Sequence, residues 1–216
     1  MAVPTLTTLL SAVNSVLRTI NESSVSSLTP PYTDDVGFAL DTIREVQVET
    51  LSRGYSFNSE SDVTLALDVN GKYALPADVI RVTLDHPFAC RPNLDLVIRD
   101  DAGTLRLYNK AKGAHTFVLP EGLKATIVTL VDYEALPEPF RKYILIRAAR
   151  TFQARLLGAP ASAFSQLEEV HAQKSLRDYE VATYNPSVFG NWSVSRVIRR
   201  GYPQTWNMGG SPGMEL

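Results

Sequence analysis

The chain of 216 residues holds one cysteine, Cys90. No disulfide can close within it and no cysteine-based zinc ribbon can form, so folding in a reducing cytoplasm is expected. Charge of one sign is missing too: 21 Lys and Arg against 23 Asp and Glu give a net charge of −2. Gripping nucleic acid electrostatically requires clustered basic residues, and there are none. A protein that lets DNA slide past would avoid such clusters, so the balance permits a conduit. No apolar run approaches the ~20 residues needed to span a bilayer. The opening MAVPTLTTLL lacks the basic stretch and long apolar segment of a signal peptide. Membrane insertion is not expected. Hydrophobic residues at 44% suffice for a core, while charged residues at 20% are few enough to suit a surface partly covered by partners.

Signatures of catalysis are also absent. There is no G-x-x-x-x-G-K-S/T loop to cradle phosphate and no G-x-S-x-G elbow. His86, His115 and His171 lie far apart, and no H-E-x-x-H occurs. Cys90 has only Arg91 beside it to lower its pKa and reads as a buried or incidental thiol. Acidic pairs stand at Asp34-Asp35, Asp100-Asp101 and Glu168-Glu169. A glycoside hydrolase needs two carboxyls ~5–10 Å apart across a cleft. Adjacent residues point apart, so capping, turn and surface roles are expected. The residues therefore predict no enzyme, no metal site and no cofactor.

What is present is periodicity. Leu6, Leu9, Val13, Val16, Leu17 and Ile20 recur at helical spacing, with Thr5 as candidate N-cap and Asn21 as stop. Residues 21–33 form a Ser/Thr/Pro linker with Val25 and Leu28 as anchors. A second helix starts at Thr33, carries Val36, Leu40, Ile43, Val46 and Leu51, and ends at Arg53-Gly54. The period then changes. Val63, Leu65, Leu67 and Val69 alternate as in a half-buried strand, and Asn70-Gly71 marks a hairpin. Further strands are expected at residues 73–75, 79–84, 94–98, 104–108 and 126–133, with a tight turn at residues 100–103. Pro137 and Pro139 lead into a third helix bearing Phe140, Ile144, Ala148, Phe152 and Leu156, which Gly158 stops. Pro160 opens a fourth, bearing Phe164, Leu167, Val170 and Leu176 and fading near Tyr184.

The economical fold is α+β. It is a four-helix bundle (residues 1–54 and 136–184) with an antiparallel β-sandwich or barrel-like domain (55–135) inserted between helices two and three. Residues 185–216 form an extended C-terminal arm without clear period. It holds both tryptophans, and sets Phe189, Trp192, Tyr202 and Trp206 among Arg196, Arg199 and Arg200. Trp, Tyr and Arg dominate binding hot spots, so Phe189, Trp192, Arg196, Arg199, Tyr202 and Trp206 are candidate partner anchors. The competing reading folds the arm back on its own chain. A segment at residues 109–116, with Lys110, Lys112 and His115, reads as a partner or channel loop or as a solvated hairpin tip.

Three stretches carry a resemblance. LSAVNSVLRTINESSVSSL (10–28), SRGYSF (52–57) and VDYEALPEPFRKYILIRAARTFQARLLGAP (131–160) are similar to the tail tubular protein A family of short-tailed phages. The last shows the family's DY-x-x-L/M-P-x-x-F-R pattern and its helix ending in GAP. The resemblance implies a virion structural protein, assembled in the host cytoplasm as a dodecameric head-to-tail adaptor ring. Its partners would be further copies of itself, the portal protein, the tail nozzle protein (tail tubular protein B) and tail fibres, with DNA passing through unbound. The arm has no counterpart in the resemblance. The alternatives are a tail-borne hydrolase of polysaccharide or peptidoglycan, a head-completion connector of another phage type, and a non-viral binding module.

Overall fold

The computed structural model describes residues 6–85, 94–117, 122–158 and 164–183. In chain order these form α1 (Leu9–Arg18), α2 (Asp34–Leu51), β1 (Ser59–Leu65), β2 (Val79–Leu84), β3 (Leu96–Asp101), β4 (Thr104–Asn109), β5 (Leu123–Thr129), a 3-10 turn (Tyr133–Ala135), α3 (Glu138–Leu157) and α4 (Gln166–Thr183). The class is α+β.

Local chemistry sets the helix ends. Thr8, not Thr5, caps α1: its hydroxyl accepts from the Ser11 amide at 3.2 Å. The linker after α1 is tethered by Asn14, whose amide group donates to the Val25 carbonyl at 2.9 Å and accepts from the Val25 N–H at 2.8 Å. Asp34 and Asp35 occupy the first turn of α2, where the helix dipole favours them. Its expected stripe, from Val36 to Leu51, is buried. Gly158 ends α3 in the left-handed conformation, φ +62°. Ahead of α4, the Ser165 N–H donates to the Glu168 carboxylate at 2.7 Å and the Glu168 N–H to the Ser165 hydroxyl at 3.2 Å, a capping box. The Ser165 N–H, with the Ser165 hydroxyl donating to the same carboxylate at 3.0 Å, holds the Glu168 carboxyl below its ordinary range.

α3 lies against α1, α2 and α4. The ion pairs Glu45–Arg155 and Glu49–Arg147 show α2 and α3 running in opposite directions. Arg150–Glu169 and the Phe140–Tyr179 ring contact show the same of α3 and α4. The apolar core between them is built from Val13, Val16 and Leu17 of α1, Ile43 and Leu51 of α2, and Phe140, Ile144 and Phe152 of α3. Two expectations need correction here. Leu156 faces solvent, because the last turn of α3 passes beyond the packed face. On α4, Leu167 and Val170 are 62% and 52% exposed. Its packed face is the narrow strip of Ala172 and Leu176, with Tyr179 alongside, so the other apolar positions point outward.

The strands lie between α2 and α3 in the chain. They make two small antiparallel sheets, one in the order β1-β5-β2 and one of β3 with β4. Neither closes into a barrel among the described residues, which corrects the barrel-like expectation. β5 is central, with Ser59 opposite Val128 and Val82 opposite Ile127. β3 and β4 are joined by Ala102 and Gly103, both at positive φ, as a two-residue hairpin turn requires. The segment at residues 73–75 extends this hairpin: Leu75 N–H donates to Leu105 at 2.8 Å and Leu107 N–H to Tyr73 at 3.1 Å. Both sheets feed one apolar cluster of Leu65, Tyr73, Leu107, Phe117 and Leu123.

The alternation through Val69 misled. β1 ends at Leu65, and Val69 is fully exposed at 101%. The Asp68 carboxylate accepts from the N–H groups of Asn70 and Lys72 at 2.8 and 2.9 Å and so bends the chain there. Likewise β5 runs Leu123–Thr129, and Tyr133 sits in the 3-10 turn that follows.

Candidate assembly site at the joint of helices and strands

The stretches at residues 52–57 and 131–160 lie far apart in sequence, and the fold joins them at one ring. Phe140 is fully buried. Tyr55 and Phe57 meet it edge-on, with centroids at 4.7 and 4.6 Å, and Tyr179 of α4 approaches at 6.2 Å. Edge-to-face packing of this kind adds to the area buried. The chain reaches this position through Gly54, at φ +76°. A side chain there would strain the backbone at this φ, and its β-carbon would crowd Ser59 at 3.0 Å and Val128 at 3.1 Å while pushing the Arg81 guanidinium aside, which favours glycine.

Asn58, buried beside this cluster, closes the joint. Its side-chain amide donates to the carbonyls of Leu51 at 3.1 Å and Thr129 at 2.9 Å. Its side-chain oxygen accepts from Tyr55 N–H at 2.7 Å, and its own carbonyl accepts from Thr129 N–H at 3.0 Å. One residue thus ties the end of α2 to the start of β1 and the end of β5. Gln47 of α2 adds a bond to the Val131 carbonyl at 2.6 Å. Glu180 of α4 accepts from both the N–H and the hydroxyl of Ser56, at 2.7 and 3.1 Å.

The segment before α3 is held by Arg141. This buried guanidinium donates to three backbone carbonyls: Leu136 at 2.7 Å, Thr7 at 3.1 Å, and Glu134. The Tyr133 hydroxyl donates to the Arg141 carbonyl at 3.1 Å. Burial, with the nearby Glu138 charge, pushes the Tyr133 phenol well above its ordinary range, so it stays a donor. Glu138 accepts from the N–H and the hydroxyl of Thr7, which draws the start of the chain to the same place. Asn58, Gln47, Arg141 and Tyr133 each have a hydrogen-bond partner, so the joint is stiff.

A groove of about 350 Å³ lies beside the joint, lined by Tyr55, Tyr143, Leu176, Arg177 and Glu180. Its carboxylate is the one already bonded to Ser56. Among the described residues no group of three His, Cys, Asp or Glu could hold a metal ion, and no helix is long and apolar enough to cross a membrane.

The residues expected from sequence fall elsewhere. Lys110 pairs with Asp95 at 2.9 Å, and His115 meets the Leu107 carbonyl at 3.1 Å while its ring stands edge-on to Tyr108 at 5.0 Å. Arg99 covers that tyrosine at 3.8 Å from the ring centre. Lys112 is exposed at the turn. His171 is exposed on α4. Phe189, Trp192, Arg196, Arg199, Tyr202 and Trp206 lie outside the described residues, as do Cys90, His86 and Pro160. The joint residues that no sequence motif pointed to are Asn58 and Gln47; Arg141 is the arginine of the DY-x-x-L/M-P-x-x-F-R pattern, to which no role was attached. Gln47 and Arg141 had a signal: each is a polar residue at apolar helical spacing, between Ile43 and Leu51 and ahead of Ile144 and Ala148. Asn58 had none, since one of its partners is 71 positions away.

Against known families, the one described as tail tubular protein matches residues 10–186. No curated protein matches the chain.

Proposed function

The chain belongs to the tail tubular protein family, structural components of phage tails, and we propose that it is one subunit of a dodecameric head-to-tail adaptor ring. In this reading the ring sits between the portal of the head and the nozzle protein of the tail, carries tail fibres at its rim, and lets DNA pass without specific binding. Family membership is the observation that carries the proposal. The joint at Phe140 and Asn58 supports it, because a ring closes only if every subunit repeats the same rotation. A body in which helices and strands are locked together keeps that rotation constant.

We divide the chain as a helical bundle (1–54 and 136–184), an inserted β-domain (55–135) and a docking arm (185–216). Phe189, Trp192, Arg196, Arg199, Tyr202 and Trp206 anchor the arm on the portal or a neighbouring subunit. The loop of Lys110, Lys112 and His115 faces the channel or a partner, with Lys112 exposed at its turn. Mass measurement of the purified protein, alone and with portal-bearing particles, tests the ring: a species twelve times 23.8 kDa is expected. A protein solitary at every concentration, with no affinity for portal or nozzle, overturns it. Deletion of residues 185–216 is expected to abolish docking onto portal-bearing heads; unchanged docking removes the role of the arm.

A further inference from the structure

Two outward helix faces carry the same order of apolar and charged residues, with charges of opposite sign. On α2, Phe38, Asp41, Glu45 and Val48 repeat at steps of three, four and three, on the side away from the buried stripe. Phe38 is 58% exposed and Val48 38%. On α4, Val170, Lys174, Arg177 and Val181 repeat at four, three and four, again opposite the packed face, with Leu167 continuing the line. Val181 is 78% exposed. Each face therefore reads apolar, charged, charged, apolar; the charges are basic on α4 and acidic on α2, where Glu45 is already held by Arg155 of its own α3 at 2.6 Å. Lys174 and Arg177 make no ion pair among the described residues. Among the described residues Asp41 has only the distant Arg44, at 4.0 Å, so it is the acidic group this face offers.

We propose that the α2 face of one subunit packs on the α4 face of the next copy, as the heterologous contact of the ring; this rests on the ring reading above. Three observations support it. Exposed apolar side chains in a regular stripe mark a contact surface. Opposite charges set between them supply register and reject like faces. α3 lies between the two helices and is antiparallel to both, so the two stripes point outward from its two flanks. It follows that α2 and α4 run the same way, and rotation to the next of twelve subunits turns that direction by at most about 30°. The contact is then close to parallel, with Phe38 on Val170, Asp41 on Lys174, and Val48 on Val181.

Charge exchange tests the pairing. Asp41→Lys and Lys174→Glu each place like charges together and are expected to weaken ring assembly about tenfold, measured by sedimentation at low salt. The double variant D41K/K174E restores opposite charges and is expected to return assembly to within about threefold of the parent. Both positions are exposed, and far-UV dichroism checks that the helices are intact. A parent protein that forms rings, with single variants that assemble as well as it does, overturns the α2–α4 contact and leaves the ring standing. Weakened single variants with no recovery in the double overturn the pairing of these two residues. A parent that never forms a ring overturns the ring reading itself.

Discussion

The helical region and the β-region of this chain are stabilised differently. Among the described residues the helical cluster has twenty-one buried apolar residues and the β cluster eight, so close packing dominates the first. The second leans on ion pairs at its edge: Arg106 with Asp68 at 2.5 Å, and Lys72 with Asp101 at 2.6 Å. Partly exposed pairs of this kind contribute little each. The helices therefore supply the frame, and the strands depend on being fixed to it.

The sharpest test of this asymmetry removes one ring from each core. Phe140→Ala is expected to cost about 3–5 kcal/mol, and Phe117→Ala, at the rim of the smaller cluster, about 2–3. Thermal unfolding followed by dichroism compares them, and equal losses would erase the distinction. Next in size is Asn58→Ala, expected to cost about 2–4 kcal/mol because buried carbonyls lose their donor. Hydrogen exchange should then show the strands opening without the helices; a single concerted transition would mean that Asn58 does not couple them. Gly54→Ala is expected to cost about 1–2 kcal/mol through backbone strain at positive φ, read from the urea midpoint.

The smallest effect is one of pH. Bonds from Arg106 and from the Lys72 amide hold the Asp68 carboxyl below its ordinary 3.8, and the Lys72 ammonium does the same for Asp101. Groups with a lowered folded value contribute stability above 3.8 and lose it as the pH falls through that folded value. Amide exchange at Asn70 and Lys72 should accelerate in that acidic window while α2 and α3 stay protected. Equal acceleration in both regions would place the acid sensitivity elsewhere.

Much of the frame was legible because helices announce themselves twice, by spacing and by caps. The stripe of α2, the prolines before α3 and Gly158 after it all read correctly. Where apolar spacing served another purpose, reading failed: Leu167 and Val170 fit a helix core pattern but face outward. The alternation through Val69 failed because one carboxylate, Asp68, bends the chain sooner than the pattern suggests. The joint was half legible. Its aromatic residues stood in recognisable stretches, whereas Asn58 acts through carbonyls that only the folded chain brings near.

The register that sets Ser59 opposite Val128 has a further consequence. The chain departs from the helices and comes back to them on adjacent strands, which are about 4.8 Å apart. Any excursion whose two feet stand that close can be exchanged for another without re-laying the helices beneath. A short hairpin grafted between Asn58 and Thr129 should therefore leave the helical dichroism unchanged.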